Sequence, residues 1–167
     1  MNKPKLNMIV CVAENNLIGD KVPEGNGLLW EAPEELKFFK EKTINNIVVF
    51  GENTAKYVPI DKIRKNRTVH IVKNKEDCDF IIKRYENTDN EIYICGGKTV
   101  YEYFLKNYQF DRIYISKLKP HIKVKIPKYP LFLPEIDTRV YKSIMTIHKN
   151  DFVVNVYEGI DSNLKKI

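Results

Sequence analysis

Cysteine, histidine and tryptophan are all scarce in this chain of 167 residues, and each scarcity excludes something. The three cysteines, Cys11, Cys78 and Cys95, stand far apart with no Cys-x-x-Cys pair. They read as reduced, small, mostly buried thiols, and no signature around any of them marks a nucleophile. Of the three histidines, His70 sits within a strand-like run and reads as structural. His121 and His148 have no second ligand nearby, so no metal site is expected. No apolar run reaches transmembrane length. The apolar segment near the N-terminus, Met8–Ala13, is too short for a secretory core, so a cytoplasmic location is expected. The chain carries 28 Lys and Arg against 22 Asp and Glu, a formal charge of +6, but no basic stripe interleaved with aromatics. Short clusters at Lys62–Arg67 and Lys117–Lys128 read as solvated lysine surface, which ranks a nucleic-acid reader last among the alternatives and favours small anionic ligands. The Lys165-Lys166 pair reads as a solvated tail. Repeats, low-complexity blocks and linkers are also missing, which leaves one domain over residues 1–167.

What is present is an alternation of apolar runs and amphipathic segments. Met8–Ala13, Ile47–Phe50, Thr68–Val72, Glu91–Cys95 and Asp111–Ser116 read as strands, several apolar enough to be buried on both faces. Helices are predicted from Pro33, at Asp77–Tyr85 and at Thr99–Asn107, with a short one after Gly51 capped by Asn53 and Thr54. A Pro-rich connection covers Lys117–Asp137. Thr138–Ile147 and Asp151–Glu158 alternate as a terminal antiparallel pair. The fold class that follows is α/β: a mostly parallel central sheet with helices on both faces and a C-terminal antiparallel hairpin. Such sheets bind ligands at the carboxyl ends of their strands, which directs attention to the segments after Ala13, Phe50, Val72, Cys95 and Ser116.

Two of those segments carry chemistry. Gly96-Gly97 ends an apolar strand and precedes a helix whose free N–H groups suit an anion; the pair reads equally as a tight strand-to-helix turn. In Leu29-Trp30-Glu-Ala-Pro33-Glu-Glu35-Leu36-Lys-Phe-Phe39-Lys40, Glu35 edges the apolar face formed by Leu36 and Phe39, and Glu34 is expected to point to water. A carboxylate at the rim of an apolar cleft has a raised pKa and grips an amidine-like group through two parallel hydrogen bonds. Composition alone favours a solvated helix with an acidic first turn.

The order of the pieces adds to this. Ile9–Ala13, Asn16-Leu-Ile-Gly19, the Trp30–Lys40 run, Thr43, Val48-Val-Phe-Gly51, Thr54, Arg67-Thr-Val, Ile94-Cys-Gly-Gly-Lys-Thr-Val-Tyr101, Ile113-Tyr-Ile-Ser116 and Leu133-Pro134 succeed one another along nearly the whole chain. In that succession the sequence resembles the dihydrofolate reductases. The combination of Trp-x-x-Pro-x-[Asp/Glu]-Leu-x-x-Phe-Lys with a later Gly-Gly-x-x-x-Tyr is specific. The resemblance implies reduction of dihydrofolate to tetrahydrofolate by hydride transfer from NADPH, with NADH as an alternative, in a monomer serving one-carbon metabolism. It makes Glu35 the carboxylate that holds the pterin and Trp30 its shield. Ser116 becomes the hydroxyl supporting Glu35, and Tyr101 the ring beside the nicotinamide. It assigns Ile9, Cys11 and Cys95 to the pterin, Leu36, Phe39 and Val58 to the aminobenzoyl ring, and Arg67 to the glutamate carboxylate. It assigns Ala13, Ile18, Gly19, Gly51, Asn53, Thr54, Lys73, Asn74, Gly96, Gly97, Lys98, Thr99 and Val100 to the cofactor, and Gly96-Gly97 to a cis pair. Asn15–Leu29 falls where a closing loop is implied.

The chain departs from the pattern in places. Glu52 follows Gly51 where a basic residue is usual, and Lys73 and Lys75 stand where they can compensate. The loop before Trp30 is long and carries Val22–Gly27, Leu29 replaces a common proline, and Lys128–Leu133 replaces a Gly-Asp-Thr segment. The alternatives weighed are a same-fold reductase of another pterin or a ribosylated pyrimidine, and a catalytically weak binding or structural protein. The first leaves Trp30, Glu35, Phe39 and Arg67 without a common purpose; turnover of dihydrofolate eliminates the second.

Overall fold

The computed structural model describes residues 4–160, so the tail lysines Lys165 and Lys166 lie outside the described residues. Its centre is a seven-stranded sheet. β1 (Lys5–Val12) lies between β5 (Glu91–Ile94) and β6 (Arg112–Leu118), and β3 (Ile47–Gly51) between β5 and β4 (Thr68–Val72), all parallel. β9 (Phe152–Gly159) runs antiparallel to β6, and β8 (Tyr141–His148) antiparallel to β9. The central strands are Val- and Ile-rich because both faces are covered. On one side Cys78 and Ile81 of α4 (Lys75–Tyr85) and Val100, Tyr101 and Phe104 of α5 (Lys98–Asn107) join the core. On the other, Phe38 of α1 (Pro33–Thr43) and Ile63 of α3 (Ile60–Ile63) pack with Ile9, Val48 and Val154. No helix among the described residues is long and apolar enough to cross a membrane.

Several local expectations change. The short helix α2 (Glu52–Ala55) begins on Gly51, which leaves β3 in an extended conformation with no side-chain cap, so Asn53 and Thr54 lie inside the helix and do not cap it. α4 begins two residues early because the Asn74 side chain accepts the Asp77 N–H at 2.9 Å. Glu34 does not point to water. Its carboxylate accepts the Asp151 N–H at 3.0 Å and the Asn150 amide at 3.4 Å, because α1 lies against the β8–β9 turn. α1 buries Phe38, edge-on to Phe152, and leaves Leu36 exposed and Phe39 half-buried. His70 bonds the Tyr85 hydroxyl at 2.6 Å.

The loop after β1 and the Pro-rich connection both contain a strand that was not expected. β2 (Leu17–Asp20) pairs with β7 (Pro130–Phe132) in a separate antiparallel ribbon. Asp20 fastens it: its carboxylate accepts the Val22, Lys128 and Tyr129 N–H groups, which hold its pKa below the ordinary value.

Candidate functional site

A cleft of about 380 Å³ opens at the carboxyl ends of β1 and β5, where the sheet rule places ligands. Ten of the residues singled out from sequence line it: Cys11, Ile18, Trp30, Glu35, Leu36, Thr54, Cys95, Gly96, Gly97 and Tyr101. Val10, Leu28, Glu31, Ala32 and Pro33 line it as well and were not singled out; their position beside Trp30 or within β1 was the available signal.

Glu35 sits in the first turn of α1 and is 6% exposed. Burial pushes its pKa from 4.5 up to about 7, while the Cys11 thiol and then the Ser116 hydroxyl draw it back. Ser116 is fully buried, and its oxygen makes no well-formed hydrogen bond within the protein although it faces this carboxylate. Trp30 is held by a bridge to Val124, with the Leu29 carbonyl accepting the Lys125 N–H at 2.7 Å. Tyr101, buried and with its pKa pushed well up, donates its hydroxyl proton to the Ile9 carbonyl at 2.8 Å. That carbonyl keeps a second lone pair.

Across the cleft the Gly96–Gly97 peptide is cis, Gly96 has φ +118°, and its carbonyl accepts the Gly51 N–H at 2.7 Å. A Cβ on Gly97 would stand 2.8 Å from Thr54 Oγ1, and one on Gly51 2.9 Å from a Val100 methyl. Both positions therefore need glycine. α5 starts on Gly97 with no side-chain cap, so its first N–H groups are free for an anion. Lys98 and Thr99 open that helix, and Lys73 is exposed beyond β4. Asn74 instead spends its side chain capping α4.

Arg67 lies apart from the cleft lining, only 8% exposed. Its Nη1 donates to Thr43 Oγ1 at 3.1 Å and its Nε to Asn66 Oδ1 at 3.0 Å, with the guanidinium 5.9 Å from the Phe39 ring. Among the described residues no carboxylate pairs with it, and burial lowers its pKa. Val58 is half-buried on the Phe39 side of the core. No group of three or more His, Cys, Asp or Glu among the described residues is placed to hold a metal ion.

The long loop meets Tyr57, just beyond α2. Gly27 has φ +79°, and a Cβ there would fall 2.6 Å from the Tyr57 ring. Gly27→Ala is expected to lift this segment, at a conformational cost of about 1–2 kcal/mol. Trypsin cleavage at Lys21 should accelerate while Tm falls by only a few degrees. Unchanged cleavage would show that the loop does not rest on Tyr57.

A family model described as dihydrofolate reductase matches residues 5–158. The dihydrofolate reductase of Mycoplasma genitalium is 27% identical over 131 residues, covering 69% of this chain and 77% of that protein. That of Buchnera aphidicola subsp. Acyrthosiphon pisum is 27% identical over 141 residues, covering 76% and 81%. Dihydrofolate reductase type 9 of Escherichia coli is 28% identical over 138 residues, covering 68% and 70%. The solved structure of dihydrofolate reductase from Enterococcus faecalis, complexed with NADP(H) and RAB-propyl, superposes with a TM-score of 0.73 at 23% identity, covering 94% of this chain and 97% of that one.

Proposed function

The chain belongs to the dihydrofolate reductase family, and on that premise we infer that its cleft reduces dihydrofolate to tetrahydrofolate with NADPH. The observation that carries the reading is Glu35, the one buried carboxylate among the described residues, facing a glycine cradle that ends at a helix N-terminus. The carboxylate matches the amino and ring N–H groups of a pterin, and the cradle matches a pyrophosphate.

The residues fit the cofactor. Gly96 and Gly97 present bare backbone to the cleft, packed so closely with Gly51, Thr54 and Val100 that side chains are excluded, Thr54 offers a hydroxyl beside them, and α5 begins there with uncapped N–H groups. Ala13, Ile18 and Gly19 approach from the β1 side, with Asn53, Lys98, Thr99 and Val100 around the cradle. Lys73 and Asn74, which follow β4, would meet the adenosine end of the cofactor. NADPH, when bound, supplies the hydride. Glu35 holds the pterin so that its reacting carbon faces the cofactor side of the cleft. Trp30 and the loop over Tyr57 exclude bulk water. Because Glu35 changes protonation near neutrality, it sets the charge of the site while the adjacent ring nitrogen gains its proton through water. Leu36, Phe39 and Val58 flank the aminobenzoyl ring, Ile9, Cys11 and Cys95 edge the pterin, and Arg67 closes on the glutamate tail. A monomer is the proposed state and the cytoplasm the proposed location.

The test is an absorbance assay with dihydrofolate and each reduced nicotinamide cofactor in turn. Oxidation of NADPH that depends on dihydrofolate is expected, and its absence overturns the assignment. Glu52, exposed at the start of α2, adds a negative charge beside the cradle. Glu52→Arg is expected to raise the preference for NADPH over NADH on the order of fivefold, more at low ionic strength. An unchanged cofactor ratio at low salt would place Glu52 away from the ribose phosphate.

A further inference from the structure

Cys11 and Ser116 are direct register partners across the parallel β1–β6 pair, so their side chains project from the same face of the sheet. That face is the one covered by α1. Ile9 and Ala13, two residues either side of Cys11, and Val154, the register partner of Ser116 on β9, all pack in one core with Phe38. Glu35 precedes Phe38 by three residues on the same helical face, so its side chain enters from α1 the cleft that Cys11 lines from β1. We propose that Cys11 is a positioning residue whose S–H donates a hydrogen bond to the Glu35 carboxylate and, with Ser116, keeps it ionised and aimed at the substrate. The inference deepens the assignment of the cleft to a pterin and rests on it only for the substrate named.

The surroundings leave this task to neutral donors. Around Glu35, β1 contributes Cys11, β6 Ser116, the residue after β5 Cys95, α5 Tyr101 and the segment before α1 Glu31. No Lys, Arg or His lines the cleft among the described residues, and Arg67 is felt by Cys95 rather than by Glu35. A buried carboxylate without a cation keeps its charge only through hydrogen bonds to it. Burial pushes the Cys11 thiol far up, and the nearby Glu35 pushes it further, so the thiol stays protonated over the working range. It is therefore a permanent donor and a poor nucleophile. Of the two groups that draw the Glu35 pKa back toward its ordinary value, Cys11 has the larger effect. A thiol is a weak donor in general; desolvation and an ionised acceptor make this one count.

The test reads Glu35 itself rather than turnover. Protein labelled with ¹³C at the glutamate carboxyls is titrated by NMR, with Glu35→Gln identifying the resonance. Cys11→Ala is expected to move the Glu35 midpoint upward on the order of one pH unit, a tenfold change in its ionisation constant. Cys11→Ser, which restores a donor, should return it toward wild type. The steady-state counterpart is a KM for dihydrofolate that rises in Cys11→Ala at neutral pH and recovers at alkaline pH. An unchanged or lower midpoint in folded Cys11→Ala overturns the proposal. If that variant does not fold, the infrared S–H stretch decides. The band present in wild type and missing in Cys11→Ser should move to higher frequency in Glu35→Gln, and a band that stays in place overturns the proposal. A protein that shows the NMR shift yet turns over no dihydrofolate would refute the substrate and leave the Cys11–Glu35 contact standing.

Discussion

Glu35→Gln is expected to lower kcat/KM for dihydrofolate by roughly a hundredfold or more while leaving the fold intact. The estimate comes from weakening two charge-assisted hydrogen bonds of about 1.5–3 kcal/mol each to the pterin's paired donors. Glutamine keeps the shape but replaces one acceptor oxygen with a donor that faces another donor. The same change should alter stability in the opposite sense. The folded-state pKa of Glu35, about 7, lies above its ordinary 4.5. Between those values the folded protein holds a proton that the unfolded chain has released. The resulting stability is full below the ordinary value and is lost as pH rises through about 7, to the extent of about 3 kcal/mol. Glu35→Gln has no charge to bury and escapes this loss. It should melt near the wild-type temperature at pH 5 and above it at pH 8. Wild-type turnover in the variant, or no alkaline gain in Tm, would remove Glu35 from the role assigned to it.

The second large effect is expected at Arg67. Arg67→Ala should raise the KM for dihydrofolate by on the order of tenfold to a hundredfold and leave the KM for NADPH nearly unchanged, the loss of a charged hydrogen bond at the substrate's tail. Arg67→Lys should fall closer to alanine than to wild type. Thr43 and Asn66 hold the guanidinium fork in place, and an ammonium cannot present two parallel donors to a carboxylate. A dihydropterin lacking the glutamate should not distinguish the three proteins. Equal losses for substrate and cofactor, measured by titration, would refute the assignment.

Much of the fold was legible because its signals are local. Ile47–Gly51 is a run buried at every position, and the Pro33 start of α1 and the double glycine before α5 punctuate the chain where the structure changes direction. The β2–β7 ribbon was not legible, because its pairing depends on Asp20 accepting N–H groups from residues 108 and 109 positions away. Nor was the use of Glu34 to hold the β8–β9 turn, 117 residues distant. On α1 the spacing of Leu36 and Phe39 suggested one apolar face, yet the core took Phe38, and Leu36 went to the cleft. Glu35 and Glu34 are indistinguishable by composition. Helical spacing put Glu35 at the edge of an apolar face, the ordered succession of motifs gave it a role, and in the fold Glu35 is buried at the cleft while Glu34 holds the β8–β9 turn. Ser116 and Cys11 could be named one by one, but the register that sets them side by side is a tertiary fact.

The lone guanidinium of Arg67 has a consequence outside catalysis. The ligand-free protein holds a desolvated cation and, above neutrality, a desolvated anion at Glu35, neither with a counter-ion from its own chain among the described residues. A ligand that brings both partners binds the native state alone and stabilises it in proportion to its occupancy. In a cell, where proteases sample the opened chain, steady-state abundance would then follow the supply of that ligand: a starved pool is cleared, and a saturated one persists. Removing either buried charge would weaken the link between the protein's half-life and its nutrient.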